Sequence, residues 1–95
     1  MSVAAPIARR LVIAGRVQGV GFRYAFADEA RMRGLGGWVR NRRDGRVEAL
    51  VCGPAPDVET MIAWARVGPT AARVSSVDVE EAIATSGAFE IVATL

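Results

Sequence analysis

The stretch GRVQGVGFR, residues 15–23, marks the point where the hydrophobic pattern of the chain changes. Before it, RRLVIAG (9–15) is a short β-branched run that stops at a glycine, which is typical of a strand. After it, apolar residues recur at helical spacing and form one stripe: Phe22, Ala25, Phe26 and Ala30. The stretch therefore predicts a strand, a glycine-containing loop and a helix in direct succession.

The next segment predicts a β-hairpin. The segments GWVRNR (37–42) and RVEALVC (46–52) both alternate apolar and polar residues, and Arg43-Asp44-Gly45 lies between them. Asp-Gly between two alternating segments is a strong hairpin signal, because both residue types tolerate the turn conformation.

A second helix and two further strands are predicted beyond the hairpin. Asp57 is expected to be the N-cap of the helix, which ends at Gly68-Pro69. A strand then covers about 73–83, and a turn at Ser86-Gly87 leads to the short strand FEIVA (89–93).

The element order β-α-β-β-α-β, with a short extra C-terminal strand, indicates an α+β fold. Two helices on one face of a mostly antiparallel sheet give a ferredoxin-like sandwich. At 95 residues the chain has the size of a single domain. We assign residues 9–95 to that domain and residues 1–8 to a disordered N-terminal tail.

The composition predicts a soluble, monomeric, cytoplasmic protein. Hydrophobic residues make up 52% of the chain, which argues against disorder. No apolar run reaches the length of a membrane span, and MSVAAPIARR lacks the basic start of a signal peptide. No membrane association is expected.

The missing residue types exclude several classes of enzyme. The chain has no histidine and no lysine. It therefore has no Ser-His or Cys-His pair, no histidine metal ligand, no Schiff-base lysine and no phosphate-loop lysine. Cys52, the only cysteine, lies in EALVCG and is interpreted as a small buried hydrophobe. Any chemistry must depend on arginine, asparagine, carboxylates, hydroxyls and the backbone.

The charge is distributed unevenly along the chain. Residues 9–46 contain ten arginines and three acidic residues. In the rest of the chain, acidic residues outnumber basic ones. This asymmetry suggests an anionic partner for the first half. The alternative is that most of these arginines form an ordinary solvated surface.

The glycine loop is a candidate phosphate site. Glycines let successive backbone N–H groups turn inward, and the start of a helix attracts anions. Arg23 lies in the first helical turn, where the helix dipole disfavours a cation, and a bound phosphate would resolve that conflict. The alternative is that Gly19 and Gly21 only make a tight turn.

Asn41 is the second candidate. Since strand residues alternate faces, Asn41 lies on the same side of its strand as Val39, which is expected to face the core. Asn41 is then either a residue that caps the turn or a buried polar group that needs partners.

The motifs GRVQGVGFR and GWVRNRRDG together resemble those of the acylphosphatase family, and the similarity extends from about Arg10 to Val92. The resemblance implies a ferredoxin-like sheet with strand order 4-1-3-2. It also implies hydrolysis of acyl phosphates to a carboxylate and inorganic phosphate, with no metal and no cofactor. Inorganic phosphate is then expected as product or competitive inhibitor.

The same resemblance implies roles for individual residues. Arg23 would bind the phosphoryl group, and Asn41 would orient the attacking water. Backbone N–H groups would cradle the phosphate oxygens, and these belong to Gln18, Gly19, Val20, Gly21 and Phe22.

Two alternatives remain open at this point. A non-catalytic module of the same fold could bind phosphate or nucleic acid. However, RVEALVC has no aromatic residue on which a base could stack, and it carries Glu48. No nucleic-acid partner is therefore expected. Related domains also occur inside larger proteins that handle carbamoyl phosphate. The chain stands alone here, which favours a free-standing enzyme.

Overall fold

The computed structural model describes residues 5–95, which form a five-stranded sheet and two helices. In chain order the elements are β1 (Pro6–Arg16), α1 (Phe22–Met32), β2 (Gly36–Asn41), β3 (Val47–Pro54), α2 (Ala55–Val67), β4 (Arg73–Glu81) and β5 (Glu90–Ile91). None of the helices in this part of the chain has the length and hydrophobicity needed to cross a membrane.

The sheet has the order β4-β1-β3-β2-β5. Strand β1 pairs antiparallel with β3 and β4, and β2 pairs antiparallel with β3. Only the short β5 runs parallel to its neighbour, β2. The ferredoxin-like fold class, the predicted 4-1-3-2 order and the extra C-terminal strand are all confirmed.

The predicted boundary between the N-terminal tail and the domain is wrong. Strand β1 begins at Pro6, and its pairing with β3 extends from Ile13 back to Pro6, which lies opposite Pro54. Residues 6–8 therefore belong to the sheet, because β3 provides pairing partners for them. Residues 1–4 of the predicted tail lie outside the described residues.

Other boundaries differ as well, and β5 covers only Glu90–Ile91 instead of 89–93. Helix α2 begins at Ala55 with Pro54 at its N-cap, so Asp57 is not the cap but a first-turn residue. Proline is tolerated at the start of a helix since the first N–H groups need no helical partner, and an acidic first turn suits the helix dipole. Strand β4 ends at Glu81, and Ile83 is exposed.

Both helices pack against the same face of the sheet and share one core with it. Phe22 and Phe26 of α1 are fully buried, and Trp64 of α2 lies 5.8 Å from each of them, centroid to centroid. Phe89 packs on the Phe26 ring at 5.7 Å. Each such aromatic contact contributes about 0.5–1.5 kcal/mol beyond area burial. This cluster anchors the N-terminal end of α1.

Candidate active site

The loop between β1 and α1 has a backbone suited to binding an anion. Gly19 and Gly21 have φ angles of 72° and 75°, whereas no non-glycine residue in the described chain has a positive φ. The sign of φ therefore alternates from Gln18 to Gly21, which turns successive N–H groups toward one concave side. A Cβ atom at Gly19 or Gly21 would meet no protein atom within 4 Å, so backbone conformation, not crowding, requires glycine there.

The N–H groups of this loop are available for a ligand. Within residues 5–95, no backbone N–H of residues 18–22 donates a hydrogen bond to a protein acceptor. Gly21 is the N-cap of α1, where no side chain caps the helix. The unpaired donors of the first helical turn and the helix dipole add positive potential at this point. The arrangement can hold a phosphate group.

Arg23 lies in the first turn of α1 and is half-buried. Its guanidinium makes neither an ion pair nor a hydrogen bond in the described part of the chain. Its guanidinium carbon lies 5.8 Å from the centroid of the Tyr24 ring. Arg23 therefore retains its full set of hydrogen-bond donors for an external anion.

Asn41 is the last residue of β2 and lies on the core side of the strand with Val39, as predicted. Its Oδ1 atom is buried and accepts no hydrogen bond from any residue that the structure describes. The turn-capping interpretation of Asn41 is therefore wrong, and the buried polar group is the correct alternative. Leaving such an acceptor unsatisfied costs about 1–3 kcal/mol, which an external donor would recover.

The loop, Arg23 and Asn41 meet at one pocket of about 170 Å³. The pocket is lined by Val17, Gln18, Gly19, Gly21, Phe22, Arg23, Tyr24 and Asn41. The structure thus brings together every predicted site residue except Val20, whose half-buried side chain packs against the core. Sequence reasoning missed Val17 and Tyr24, although Tyr24 directly follows Arg23 and its place in the same helical turn was a usable signal.

The sheet register explains why these elements meet. Val47 of β3 pairs with Ile13 on one side and with Asn41 on the other. The C-terminal ends of β1 and β2 therefore lie at the same edge of the sheet, with one strand between them. The Phe22 side chain is held in the aromatic cluster, and the loop that ends at Phe22 lines one pocket with Asn41.

The C-terminal residues also support the strand end that carries Asn41. The Leu95 N–H donates to the Asn41 carbonyl at 3.2 Å, and the Arg43 N–H donates to the Leu95 carbonyl at 3.0 Å. The Val92 N–H donates to the Val39 carbonyl at 2.9 Å. The sequence predicted a short last strand but carried no signal for the strand it would pair with.

A second arginine cluster occupies the face of the sheet opposite the helices, and we call it the open-face cluster. Its centre is Glu48, whose side chain is 4% exposed and lies between Arg10 and Arg40. Arg10 Nε donates to Glu48 Oε2 at 2.5 Å, and Arg40 Nε donates to Oε1 at 2.8 Å. Arg10 also pairs with Glu80, and the Arg40 guanidinium lies over the Trp38 ring. The charges in this cluster are therefore paired within the protein.

Two effects act on the pKa of Glu48. Burial by itself raises it, but the hydrogen bonds and positive charges of Arg40 and Arg10 outweigh burial and hold the pKa below its usual range. The adjoining depression of about 480 Å³ is larger than the pocket at Arg23. Of the four arginines that line it, Arg10, Arg40 and Arg42 already pair with acidic residues, and Arg43 does not pair with any that the structure describes. The two central strands carry no aromatic residue on which a base could stack.

The comparisons with known proteins agree with this geometry. The family model described as Acylphosphatase matches residues 9–91. The acylphosphatase of Azoarcus sp. is 62% identical over 81 residues, which are 85% of this chain and 83% of that relative.

Solved structures show the same similarity. The acylphosphatase of Bacillus subtilis superimposes with a TM-score of 0.85 at 41% identity, over 90% of this chain and 98% of that one. The acylphosphatase of Coxiella burnetii gives a TM-score of 0.87 at 32% identity, over 90% and 92% of the two chains. The similarity includes both strands and the loop that form the pocket.

Proposed function

This chain belongs to the acylphosphatase family and hydrolyses acyl phosphates, and we propose that Arg23, Asn41 and the backbone amides of residues 18–22 carry out that reaction. One observation carries the proposal. A guanidinium without a partner and a buried amide oxygen without a partner line the same pocket as a loop whose N–H groups are free, within residues 5–95.

The phosphoryl group binds between the loop and Arg23 in this proposal. Phosphoryl transfer requires mainly positioning and the stabilisation of charge on the equatorial oxygens. Backbone N–H groups that are already oriented supply this stabilisation without reorganising during the reaction. The planar guanidinium of Arg23 adds two parallel donors that match two phosphate oxygens.

Asn41 orients the attacking water. Its buried Oδ1 can accept one hydrogen bond from that water, and no described residue competes for this acceptor. The water oxygen forms a bond to phosphorus while the bond between phosphorus and the acyl oxygen breaks. The water proton passes to an oxygen of the phosphoryl group, since the chain has no histidine to receive it.

The leaving group explains why so few side chains suffice. The acyl group departs as a carboxylate, whose conjugate acid has a pKa of about 4 in water. Such a group leaves as an anion near neutral pH, so it needs no general acid. We propose that the reaction proceeds without a metal ion, and inorganic phosphate is its second product.

An activity assay with a chelator tests this function. The purified protein is incubated with benzoyl phosphate in excess EDTA, and released phosphate is measured. We expect unimpaired turnover and competitive inhibition by added inorganic phosphate. Loss of activity in EDTA that returns with a divalent cation would contradict the metal-free proposal, and non-competitive inhibition by phosphate would contradict the proposed binding site.

We propose further that the enzyme acts as a cytoplasmic monomer. The loop, Arg23 and Asn41 line one pocket within a single chain, which supports this proposal. Sedimentation equilibrium measures the assembly state, and a dimer at assay concentrations would contradict the first part. Fractionation of producing cells tests the second part.

A further inference from the structure

The side chain of Gln18 joins the phosphate loop to the β2–β3 hairpin. Gln18 Nε2 donates to the carbonyl oxygen of Arg42 at 2.8 Å and to that of Arg46 at 3.0 Å. These carbonyls lie at the two ends of the hairpin turn, which is closed by the Arg42 N–H donating to the Arg46 carbonyl at 2.8 Å. One amide group therefore uses both of its hydrogens on the turn that directly follows Asn41.

This contact connects two parts of the site that strand pairing does not connect. Val47, the first residue of β3, pairs with Ile13 of β1 and with Asn41 of β2. The pairing of β3 with β1 and with β2 ends at Val47, so no strand pairing joins the phosphate loop to the hairpin turn. The side-chain hydrogen bonds that join the loop to the hairpin in the described chain both come from Gln18.

We propose that Gln18 is a positioning residue that sets the distance between the phosphate loop and Asn41. The inference rests on the proposed function, in which the loop holds the phosphoryl group and Asn41 holds the water. In-line attack requires these two groups to keep a defined separation, and a displacement of about 1 Å can cost about a hundredfold in rate. Gln18 ties its own backbone, in the loop, to the residue after Asn41.

Glutamine is suited to this contact. Its amide presents two donors to two carbonyl acceptors and carries no charge beside a bound phosphate. A glutamate would place acceptors against acceptors and add a negative charge. A methionine keeps the length and flexibility of the side chain but removes both donors, so Gln18→Met isolates the hydrogen bonds.

The first measurement is steady-state kinetics of Gln18→Met and Gln18→Glu with benzoyl phosphate. For Gln18→Met we expect kcat to fall about tenfold to a hundredfold, while the inhibition constant of inorganic phosphate changes much less. For Gln18→Glu the fall in kcat is accompanied by weaker phosphate binding. Unchanged kcat in Gln18→Met would overturn the inference.

A double-mutant cycle separates positioning from simple stabilisation. If Gln18 acts through Asn41, Gln18→Met has little further effect on kcat in an Asn41→Ala background. An equal loss in both backgrounds would overturn the inference, since it would show that Gln18 acts independently of Asn41. A fall in melting temperature with kcat unchanged below the transition would overturn it as well.

Arg23→Ala, measured in parallel, distinguishes this inference from the proposed function. Full activity in Arg23→Ala refutes the proposed function and the inference with it. Inactive Arg23→Ala together with fully active Gln18→Met refutes the positioning role alone.

Discussion

Two groups of arginine-containing contacts lie at separate places on this protein and differ in how completely they are satisfied. In the open-face cluster, Arg10 and Arg40 enclose Glu48 and bond both of its oxygens. At the pocket, Arg23 makes no ion pair within residues 5–95, and Asn41 Oδ1 accepts no hydrogen bond there. The first arrangement is complete without a ligand, whereas the second leaves polar groups for one.

This difference distinguishes the two surfaces better than charge density does. The open face has more arginines and the larger depression, about 480 Å³ against about 170 Å³. An anion at Arg10 or Arg40 would have to displace Glu48 from its partners, whereas Arg43, at the same depression, pairs with no acidic residue that the structure describes. At Arg23 an anion would displace no acidic partner from within residues 5–95. The pocket at Arg23 is the better candidate site because an unpaired guanidinium occurs there together with free loop N–H groups and the unpaired Asn41 Oδ1, within residues 5–95.

The largest expected effect comes from Arg23. Arg23→Ala should lower kcat by at least about 10²–10³-fold, since one donor to a developing oxyanion contributes about 3–4 kcal/mol. Arg23→Lys should restore little, because an ammonium group cannot bind two oxygens in a planar fork. Steady-state kinetics with benzoyl phosphate measures both variants.

Arg10→Ala is the matched control from the open-face cluster. It removes an arginine that is already paired, and we expect kcat to stay within about twofold of the parent. A loss comparable to that of Arg23→Ala would show that the two groups of arginines do not differ in the proposed way.

The next effect in size is at Asn41. Asn41→Ala should lower kcat by about a hundredfold, since the attacking water loses its orientation, while phosphate inhibition changes little. The same substitution removes a buried acceptor that has no partner, so the free energy of unfolding should hold or increase. Steady-state kinetics tests the effect on kcat, and urea denaturation tests the effect on the free energy of unfolding. Collapse of phosphate affinity with kcat preserved would assign Asn41 to phosphate binding instead.

Glu48→Gln tests the other side of the comparison. The substitution keeps the shape of the side chain but removes the charge between two arginines. We expect the free energy of unfolding to fall by about 1–3 kcal/mol, the difference that charged hydrogen bonds make, with kcat unchanged. Urea denaturation measures the free energy of unfolding, and steady-state kinetics well below the unfolding transition measures kcat. A selective loss of activity at full stability would place the open-face cluster in the catalytic machinery.

Gly21→Ala is expected to lower stability modestly and to weaken phosphate binding specifically. An L-residue in the left-handed region costs about 1–2 kcal/mol, and relaxation of that strain would turn loop N–H groups away from phosphate. Gly34 at the end of α1 is the matched control, with a φ of 70° against 75° and equally open space around a Cβ. Both variants should lose similar stability, but only Gly21→Ala should weaken inhibition by phosphate.

The smallest effect concerns Asp44 in the hairpin turn. Hydrogen bonds from Arg46 lower the pKa of this carboxyl to about 2, below the usual value near 4. The folded state therefore binds the proton less readily than the unfolded chain, and the stability that Asp44 contributes is lost as pH falls from about 4 to about 2. Asp44→Asn should flatten the acid limb of the stability profile. An identical limb in the variant would remove Asp44 as its cause.

Local patterns predicted most of the elements. The change of hydrophobic period across residues 15–23 and the Asp-Gly turn depend on neighbours in the chain, and both predictions are confirmed. The start of β1 at Pro6 was missed because partners on β3, more than forty residues away, extend that strand. Pro54 rather than Asp57 at the N-cap of α2 was missed because helix boundaries depend on how the preceding strand ends.

Some features of the candidate site were likewise visible in the local sequence, and others were not. The glycine loop and Arg23 follow from local sequence, since left-handed backbone and a cation in a first helical turn are visible there. The sequence also predicted that Asn41 shares a side with Val39, but it left open whether its amide caps the turn. The contact of Gln18 with the hairpin, across 24 and 28 residues, gave no local signal.

By itself, therefore, the sequence determined the order of the elements, the classes of chemistry open to a chain without histidine or lysine, and the two motifs of the site. Only the tertiary structure decided which polar groups remain without partners. Backbone preferences act between residues a few positions apart. Hydrogen-bond partners, in contrast, come from any segment that the sheet brings near, and Glu48 satisfies Arg10 only because β1 and β3 are adjacent.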